Sequence, residues 1–369
     1  MSNKNFKTFF DCGFSKVRAG MFNSNNNNKA FYFESELFTD RSNLELHIQK
    51  SIDSLEKDSN EYIDNINLMI DSSKMISVGF SISKKLDGSK LKKTNIQFLV
   101  QEANQQILKY YINYNIAHII INNYKIDGID YSYLPDEIKC DFISLDILFI
   151  CLPNDLVLFF KNIFLKSNIL VDQIICSSYA KSVNYKNDLN LNGYISFIDI
   201  GFNRTSVISY FDDKILSLDV LPIGGNNITK DISQILEVNL ERSEQLKCNF
   251  NQNLKLLNDE DNSIDTLQKV IFARTEEIIE LCVKFIDLNS YSKDRFKMVL
   301  MGEGSKILNN KFKDKISISN DIDLLEDTLE DICQSGFKFI TGLNKQEVVV
   351  VPKKQIKQGF FEKFFHFFR

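Results

Sequence analysis

Two widely separated turns carry the residue types that bind phosphate groups. Each is an Asp-x-Gly turn followed by polar side chains: Asp11-Cys-Gly13-Phe-Ser15-Lys16 and Asp199-Ile-Gly201-Phe-Asn-Arg-Thr205. A glycine in a tight hairpin lets backbone N–H groups approach a phosphate, and hydroxyl or ammonium groups add donors. An aspartate at the end of a strand can hold Mg²⁺ through water, because this ion keeps several of its waters in proteins. Two such turns facing each other would clamp a polyphosphate.

A third turn rich in glycine lies downstream, after an apolar run. Its sequence is Met301-Gly302-Glu-Gly304-Ser305. One Asp-x-Gly turn alone is more often an ordinary hairpin than a phosphate site. Two such turns followed by a glycine turn are much harder to obtain by chance, so the pattern favours a nucleotide cleft shared by two halves of the chain.

The elements around these turns repeat along the chain. Phe6 to Phe22 has the pattern of two short strands about the first turn, and Gly193 to Phe211 has the same pattern about the second. A third strand is predicted after each pair, at Ala30 to Glu34 and at Lys214 to Leu221. This repetition predicts an internal duplication.

The segments between the repeats predict further helices and strands. Helical spacing is found at Leu44 to Lys57, Tyr62 to Ser72, Lys93 to Ile112, Asp155 to Lys166, Ile228 to Leu236 and most of Asn239 to Asp287. Further strands are predicted at Met75 to Lys85, His118 to Tyr124, Ile143 to Leu152 and Met298 to Met301. The block of residues 82–167 has its own succession of strands and helices, which indicates a compact inserted subdomain.

Composition limits the classes of protein. The formal net charge of −5 argues against nucleic-acid binding, which needs a basic surface. The seven cysteines form no CxxC pair and the three histidines stand apart, so neither a zinc site nor a disulfide framework is predicted. No signal peptide and no membrane-spanning stretch is recognisable, so we expect a cytoplasmic protein whose membrane contact is peripheral.

The order of the three turns resembles the actin/Hsp70/sugar-kinase superfamily, and within it the chain resembles FtsA, a family of bacterial cell-division proteins. The closer resemblance lies in Val171-Asp-Gln-Ile-Ile, Val220-Leu-Pro-Ile-Gly-Gly-Asn-Asn-Ile-Thr-Lys-Asp-Ile and Ser243-Glu-Gln-Leu-Lys247. It implies an α/β, actin-like (ribonuclease-H-like) fold with two lobes, an inserted small α+β subdomain and a C-terminal amphipathic helix.

The resemblance also implies how the chain divides into domains. Each lobe core is made of separate segments: 1–81, 168–192 and about 329–345 for the first, and 193–228 and 296–328 for the second. Three additions to these cores are expected: the inserted subdomain at 82–167, a helical subdomain at 229–295, and a linker with a membrane-targeting helix at 346–369.

A site for ATP and Mg²⁺ follows from the resemblance. The expected cofactor-binding residues are Asp11, Gly13, Ser15, Lys16, Asp199, Gly201, Thr205, Gly225, Glu244, Lys247, Gly302, Gly304 and Ser305. Among them, Asp11 and Asp199 would hold Mg²⁺ through water, and Glu244 and Lys247 would contact ribose and adenine.

Two of the expected turns depart from the family pattern. The family usually has Gly-Gly-Gly-Thr where this chain has Gly201-Phe-Asn-Arg-Thr205, and Glu303 stands where glycine is usual. Arg204 is a candidate to contact a phosphate in place of the lost backbone donors. We therefore expect ATP to bind and to be hydrolysed slowly or not at all.

The C-terminal segment predicts a helix that lies on a membrane surface. On a helix from Gln358 to Arg369, six phenylalanines fall within an arc of about 160°: Phe360, Phe361, Phe364, Phe365, Phe367 and Phe368. Basic residues flank this face, and each adds about 1 kcal/mol near an anionic leaflet. A terminal helix packed on the body of the protein is the alternative.

The partners implied by the resemblance are those of a division protein. They are FtsZ filaments, copies of the chain itself in actin-like filaments, membrane lipid and late division proteins, at the septum on the cytoplasmic side of the inner membrane. Arg274 falls where the family has a basic residue on its FtsZ-binding surface, although a solvated helix charge explains it equally well.

Four other classes share the superfamily. A pilus-assembly adaptor of the PilM type shares the fold and the insertion, but a terminal phenylalanine-rich helix is not expected of it. A sugar or acetate kinase needs a catalytic carboxylate and a substrate loop in the first half, for which no convincing candidate is found. An MreB-like protein would carry an actin-type subdomain, and an Hsp70-type chaperone needs a C-terminal peptide-binding domain.

Overall fold

A computed structural model describes residues 6–23, 29–38, 41–135, 138–250, 261–289, 296–308, 312 and 321–342. The predicted membrane-targeting helix lies outside the described residues. None of the helices within these ranges is both long and apolar enough to cross a membrane.

The described part of the chain alternates between strands and helices. The strands are β1 (Phe6–Cys12), β2 (Val17–Asn23), β3 (Ala30–Glu34), β4 (Asn65–Ile70), β5 (Ile76–Lys90), β6 (Tyr114–Ile126), β7 (Ile129–Tyr131), β8 (Lys139–Pro153), β9 (Leu170–Cys176), β10 (Tyr194–Ile200), β11 (Thr205–Phe211), β12 (Lys214–Leu221), β13 (Lys297–Met301) and β14 (Asp321–Leu324). The helices are α1 (Leu44–Ser59), α2 (Lys93–Tyr110), α3 (Asn154–Lys166), α4 (Ser177–Asp188), α5 (Gly225–Ile235), α6 (Leu240–Cys248), α7 (Asp261–Asn289) and α8 (Leu329–Thr341).

Two five-stranded sheets share one topology. Their strand orders are β3-β2-β1-β4-β9 and β12-β11-β10-β13-β14. In each sheet the first strand in sequence pairs antiparallel with the second and parallel with the fourth. The predicted duplication is therefore confirmed, and β1 and β10 hold equivalent places, so the two Asp-x-Gly turns lie at equivalent ends of their sheets.

One predicted helix is wrong. The segment from Tyr62 to Ser72 contains strand β4, which lies between β1 and β9 and runs parallel to both. Five of the six residues of β4 are buried. Ile63, Ile66 and Ile70 recur at intervals of three and four, which is the spacing of a helix. Burial on both faces removes the regular alternation that marks a half-exposed strand, so periodicity alone favours the wrong element.

Helices α4 and α8 connect the two sheets. Helix α4 follows β9 of the first sheet and also packs against β11 of the second, while α8 packs on α4 and on β1, β2 and β3. Ten of the twelve residues of α4 are buried, although most of them are polar. The helix therefore carries hydrogen-bonding and charged side chains into the space between the sheets.

A third sheet belongs to the predicted insertion. Its strand order, which the sequence left open, is β5-β8-β6-β7, and α2 packs against it with a core of its own. Helix α3 instead contributes Val157, Phe160 and Phe164 to the core of the first sheet. The domain boundaries drawn from the sequence remain predictions.

Candidate nucleotide site

The turns between β1 and β2 and between β10 and β11 line one cavity between the sheets. The two turns close in the same way: the Gly13 N–H donates to the Lys16 carbonyl at 3.0 Å and the Gly201 N–H to the Arg204 carbonyl at 2.8 Å. The predicted site residues that the structure brings to this cavity are Asp11, Gly13, Ser15, Lys16, Asp199 and Gly201. The fold therefore gathers residues that are almost 200 positions apart in the sequence.

A second cavity of about 230 Å³ adjoins the first. Both are lined by Ser15, Lys16 and Gly201, so they form one continuous cleft. The predicted residues that line the second cavity from the other lobe are Gly225, Glu244, Lys247 and Gly304. The cleft thus has a strongly charged end beside the two hairpins and a larger end beside α6.

Three predicted residues stabilise the turns and do not line either cavity. The Thr205 hydroxyl donates to the carbonyl of Ile223 at 2.9 Å, and the Ser305 hydroxyl donates to the carbonyl of Gly302 at 2.7 Å. The Gly302 N–H donates to Asp327 Oδ2 at 3.1 Å. Their direct contact with a ligand remains a prediction.

Glu244 and Lys247 bind each other at the larger end of the cleft. Lys247 Nζ lies 2.7 Å from Glu244 Oε2, 2.8 Å from Thr229 Oγ1 and 3.0 Å from the carbonyl of Gly225. An ammonium group has three N–H donors, and all three are used by these contacts. The expected contacts with ribose and adenine remain predictions, and they require an exchange of partners at Lys247.

Asp199 is surrounded by cations of the protein. Its Oδ1 accepts from Lys181 Nζ at 2.9 Å, and its Oδ2 accepts from both terminal nitrogens of Arg204 at 3.1 and 3.2 Å. Burial alone would raise the pKa of Asp199, but Lys181 and Arg204 lower it to about 2. Lys181 is shared with the buried carboxylate of Asp327, at 2.9 Å.

Arg204 joins the two lobes. One of its terminal nitrogens donates to the carboxylate of Asp71 in the first lobe, while the other donates to the Ser206 hydroxyl at 2.8 Å. Asp71 also accepts from the backbone N–H of Ser178 at the start of α4, at 3.0 Å. The guanidinium is buried, with all of these partners contributed by the protein.

Asp11 has its own cationic partner. Its Oδ1 accepts from the Ser177 hydroxyl at 2.7 Å, and Arg18 Nη1 lies 3.4 Å from its Oδ2. Burial raises the pKa of Asp11, although the Arg18 charge acts in the opposite direction. Arg18 also pairs with Glu34 through Nε, at 2.8 Å.

Glu303 extends this network across the cleft. Its carboxylate, which belongs to the glycine turn of the second lobe, lies 2.6 Å from Arg18 and 3.7 Å from Lys16 in the first lobe. Lys306 also pairs with it, at 2.6 Å. Burial alone would raise the pKa of Glu303, but Arg18, Lys306 and Lys16 together lower it to about 2.

Sequence reasoning missed several members of this network. Asp71 directly follows β4, just as Asp11 and Asp199 lie near the ends of β1 and β10; that signal was hidden because the segment had the spacing of a helix. Lys181 and Asp327 carry no sequence signal of comparable strength, since single charged residues are common. Their role becomes visible only when α4 is placed between the sheets.

The carboxylates expected to hold Mg²⁺ fit this ion poorly. Both oxygens of Asp199 already accept from cations, and Asp11 lies beside Arg18. A dication placed here would be repelled by the guanidinium and ammonium groups that contact these acids. Among the described residues, no group of three or more acidic, histidine or cysteine side chains is arranged to hold a metal ion.

Arg274, the predicted FtsZ-binding residue, lies on α7 away from the cleft. Its guanidinium forms a two-pronged ion pair with Asp231 on α5, at 2.5 and 3.0 Å, and a further bond to Glu277 at 2.7 Å. The side chain is 30% exposed. Arg274 therefore links α5 and α7 through its ion pair with Asp231, and a part of its side chain remains accessible.

The two duplicated sheets and the cleft between them form an actin-like ATPase fold, as the family resemblance implied. A solved structure with this arrangement is the PilM–PilN type IV pilus biogenesis complex, which matches with a TM-score of 0.58 and 12% identity over 92% of this chain and 96% of that chain. At this level of identity the likeness establishes the fold alone.

The sequence comparisons show which family within this class the chain is similar to. The model of the family described as cell division protein FtsA matches residues 196–337. Cell division protein FtsA of Agrobacterium fabrum is 21% identical over 296 residues, which are 74% of this chain and 66% of that protein. FtsA of Buchnera aphidicola from Acyrthosiphon pisum is 24% identical over 236 residues, 54% of this chain and 55% of that protein. The resemblance to FtsA is thereby confirmed, and the match spans between half and two thirds of the length of these relatives.

Proposed function

We propose that this chain is a cell-division adaptor of the FtsA type, which binds a nucleotide, assembles with copies of itself and tethers FtsZ filaments to the inner membrane. The observation that carries the proposal is the FtsA family match over residues 196–337. That segment contains the second phosphate hairpin, helices α5 to α7 and the glycine turn after β13. It therefore includes the second-lobe half of the cleft and the helical surface expected to bind FtsZ.

The nucleotide is ATP, held with its phosphates between the two hairpins and its nucleoside beside α6. The continuous cleft and its lining by Ser15, Lys16 and Lys247 support this orientation. Hydrolysis is slow or absent, because Lys181 and Arg204 engage Asp199 and lower its pKa. A carboxylate held by a cation is a weak proton acceptor.

The helical surface of α7 binds FtsZ, with Arg274 contributing a positive charge. Arg274→Glu is expected to abolish binding to FtsZ in a fluorescence-anisotropy assay with the FtsZ C-terminal peptide. Because this substitution also breaks the ion pair with Asp231, the matched control is Asp231→Asn, which weakens the same pair and keeps the positive charge. Loss of binding in the first variant but not in the second supports a direct role; equal affinity of Arg274→Glu and the unchanged chain refutes it.

The phenylalanine-rich C-terminal segment anchors this adaptor to the cytoplasmic face of the inner membrane at the septum. Its support is the sequence pattern of Phe360, Phe361, Phe364, Phe365 and Phe368 with basic flanks. Late division proteins bind the inserted sheet, which has a core of its own and is joined to the first lobe through β5 and β8.

A pilus-assembly adaptor of the PilM type is the second candidate. It is favoured by the structural match to the PilM–PilN complex, which concerns the fold. The sequence matches to FtsA proteins favour the division role. A pull-down from the native organism separates the two: co-purification of FtsZ supports the first candidate, and co-purification of a pilus-assembly protein without FtsZ supports the second.

A further inference from the structure

The guanidinium of Arg204 occupies a central position at the charged end of the cleft. It bonds to Asp199 in its own lobe and to Asp71 in the other, so it joins the ends of two strands that face each other. Its side chain is only 10% exposed. A guanidinium group that is buried this deeply has lost most of its hydration. Its two carboxylate partners compensate for that loss, and they fix its position in the fold.

The charges that line this cavity cancel. Its acidic side chains are Asp11, Asp71, Asp199 and Glu303, and its basic side chains are Lys16, Arg18, Lys181 and Arg204. These four acidic and four basic residues are paired directly with one another at 2.6 to 3.7 Å, apart from the shorter contact between Arg204 and Asp71. Mg²⁺ in a nucleotide site is held by one or two carboxylates together with the phosphates, and here each carboxylate of the cavity is already engaged by a cation of the protein.

We infer that this cleft takes a nucleoside triphosphate without a divalent cation, with the guanidinium of Arg204 supplying the positive charge that Mg²⁺ would otherwise bring. Arg204 and Lys181 together offset the charges of Asp71 and Asp199. Lys16 and Arg18 lie beside the first hairpin as further cations for the phosphates. Guanidinium groups bind phosphate oxygens well because their donors are fixed in one plane. The inference rests on the proposed nucleotide-binding function.

Isothermal titration of the full chain with ATP tests this inference. Two conditions are compared, one with excess EDTA and one with millimolar Mg²⁺. We expect ATP to bind at least as tightly in EDTA as in Mg²⁺, because a site that takes no divalent cation has to remove Mg²⁺ from the nucleotide. A tenfold difference in affinity corresponds to about 1.4 kcal/mol. Affinity at least tenfold weaker in EDTA overturns the inference and leaves the proposed nucleotide binding intact. Absence of binding in both conditions overturns nucleotide binding itself and this inference with it.

Two variants of Arg204 sharpen the test. Arg204→Met removes the charge, leaves Asp71 without its cation and frees Asp199 Oδ2, so its ATP affinity should become at least fivefold stronger in Mg²⁺ than in EDTA. Arg204→Lys keeps a positive charge, so its ATP affinity should be no more than about threefold weaker in EDTA than in Mg²⁺. If Arg204→Met does not fold, the comparison of the two conditions in the unchanged chain decides the matter alone. If Arg204→Met folds and its ATP affinity is not weakened by EDTA, Arg204 is not the substitute for the metal.

Discussion

At the scale of single residues, Gly302 shows how closely the glycine turn approaches the second Asp-x-Gly hairpin. Its φ of 91° and ψ of 165° lie in a region that is almost exclusive to glycine. A Cβ atom at this position would collide with Asp199 Oδ1 and would lie 2.7 Å from the carbonyl of Ile200. Any other residue at this position would have a strained backbone and a Cβ atom that overlaps its neighbours.

Gly302→Ala should lower the free energy of unfolding by more than about 3 kcal/mol, the sum of backbone strain and steric displacement. The matched control is Gly128→Ala, because Gly128 has a similar φ of 87° but nothing lies within 4 Å of its would-be Cβ atom. The control should cost about 1 to 2 kcal/mol. Urea unfolding of both variants checks the prediction, and equal costs would show that the close approach to Asp199 carries no energy.

His118 should make the free energy of unfolding depend on pH in a range above that in which carboxylates titrate. It is buried, and its Nε2 accepts the backbone N–H of Cys176 at 2.9 Å, so it must stay neutral in the folded protein. Burial lowers the pKa of His118 from its usual 6.5 to about 3. Below about pH 6.5 the His118 side chain is therefore protonated in the unfolded chain and remains neutral in the folded protein. Acidification consequently favours unfolding.

Between pH 7 and pH 5 this difference should lower the free energy of unfolding by about 2 kcal/mol. His118→Gln keeps an acceptor for the Cys176 N–H and removes the titrating group, so its stability should change much less over the same interval. Denaturant titrations at several pH values measure both slopes. Parallel slopes for the two proteins would mean that His118 is not the source.

The residues of the cleft were only partly predictable from the sequence. Asp11, Lys16 and Asp199 could be found because each belongs to a local motif with a recognisable spacing. Lys181 acts through partners that lie 18 and 146 positions away, so no local pattern marks it. Long-range ion pairs of this kind follow from the fold and not from neighbouring residues.

At the scale of elements, α4 is the part of the fold that its sequence describes least well. Ser-Ser-Tyr-Ala-Lys-Ser-Val-Asn-Tyr-Lys-Asn-Asp has the composition of a surface helix, yet most of it is buried. Several of its polar groups find partners within the protein, such as the Ser182 hydroxyl, which lies 2.7 Å from the Tyr210 hydroxyl. Burial of polar residues in a helix is tolerated when such partners exist, and sequence periodicity does not reveal them.

Two lysines on α4 allow this element to be tested. Lys181→Met leaves the buried carboxylates of Asp199 and Asp327 without their shared cation and should destabilise the protein by roughly 3–5 kcal/mol. Lys186→Met is the matched control: Asp213, its partner, is 70% exposed and can be solvated, so the cost should be about 1 kcal/mol or less. Thermal unfolding of both variants measures the difference. Similar costs would mean that the buried ion pairs contribute little.

A strand could be predicted from the sequence where one of its faces meets solvent or where a recognisable turn marks its end. Strands β1, β2, β10 and β11 were found because the Asp-x-Gly turns separate them. Strand β4 was missed because it is covered on both faces, and β14 because its four residues, Asp321–Leu324, are too short and polar to show a pattern.

At the scale of the whole molecule, the duplication was predictable and the closure of the cleft was not. Repeated strand patterns indicated two equivalent sheets, which the structure confirms. The ion pairs that span the lobes, between Glu303 and Arg18 and between Arg204 and Asp71, depend on how the sheets face each other. They link the two halves through side chains at the place where the family resemblance led us to expect Mg²⁺ and phosphate.

The tether to the membrane is the central claim of this account, and co-sedimentation with lipid vesicles tests it most directly. FtsZ from the same organism is mixed with anionic vesicles and with the full chain, with a chain that ends at Pro352, or with a full-length control carrying Phe364→Ser and Phe365→Ser. We predict that FtsZ pellets with the vesicles only when the full, unchanged chain is present. The truncated chain lacks the apolar face, and the substituted chain loses two of its six phenylalanines to polar residues. Pelleting of FtsZ with the truncated chain, or failure of the full chain to bring FtsZ to the vesicles, would contradict the claim.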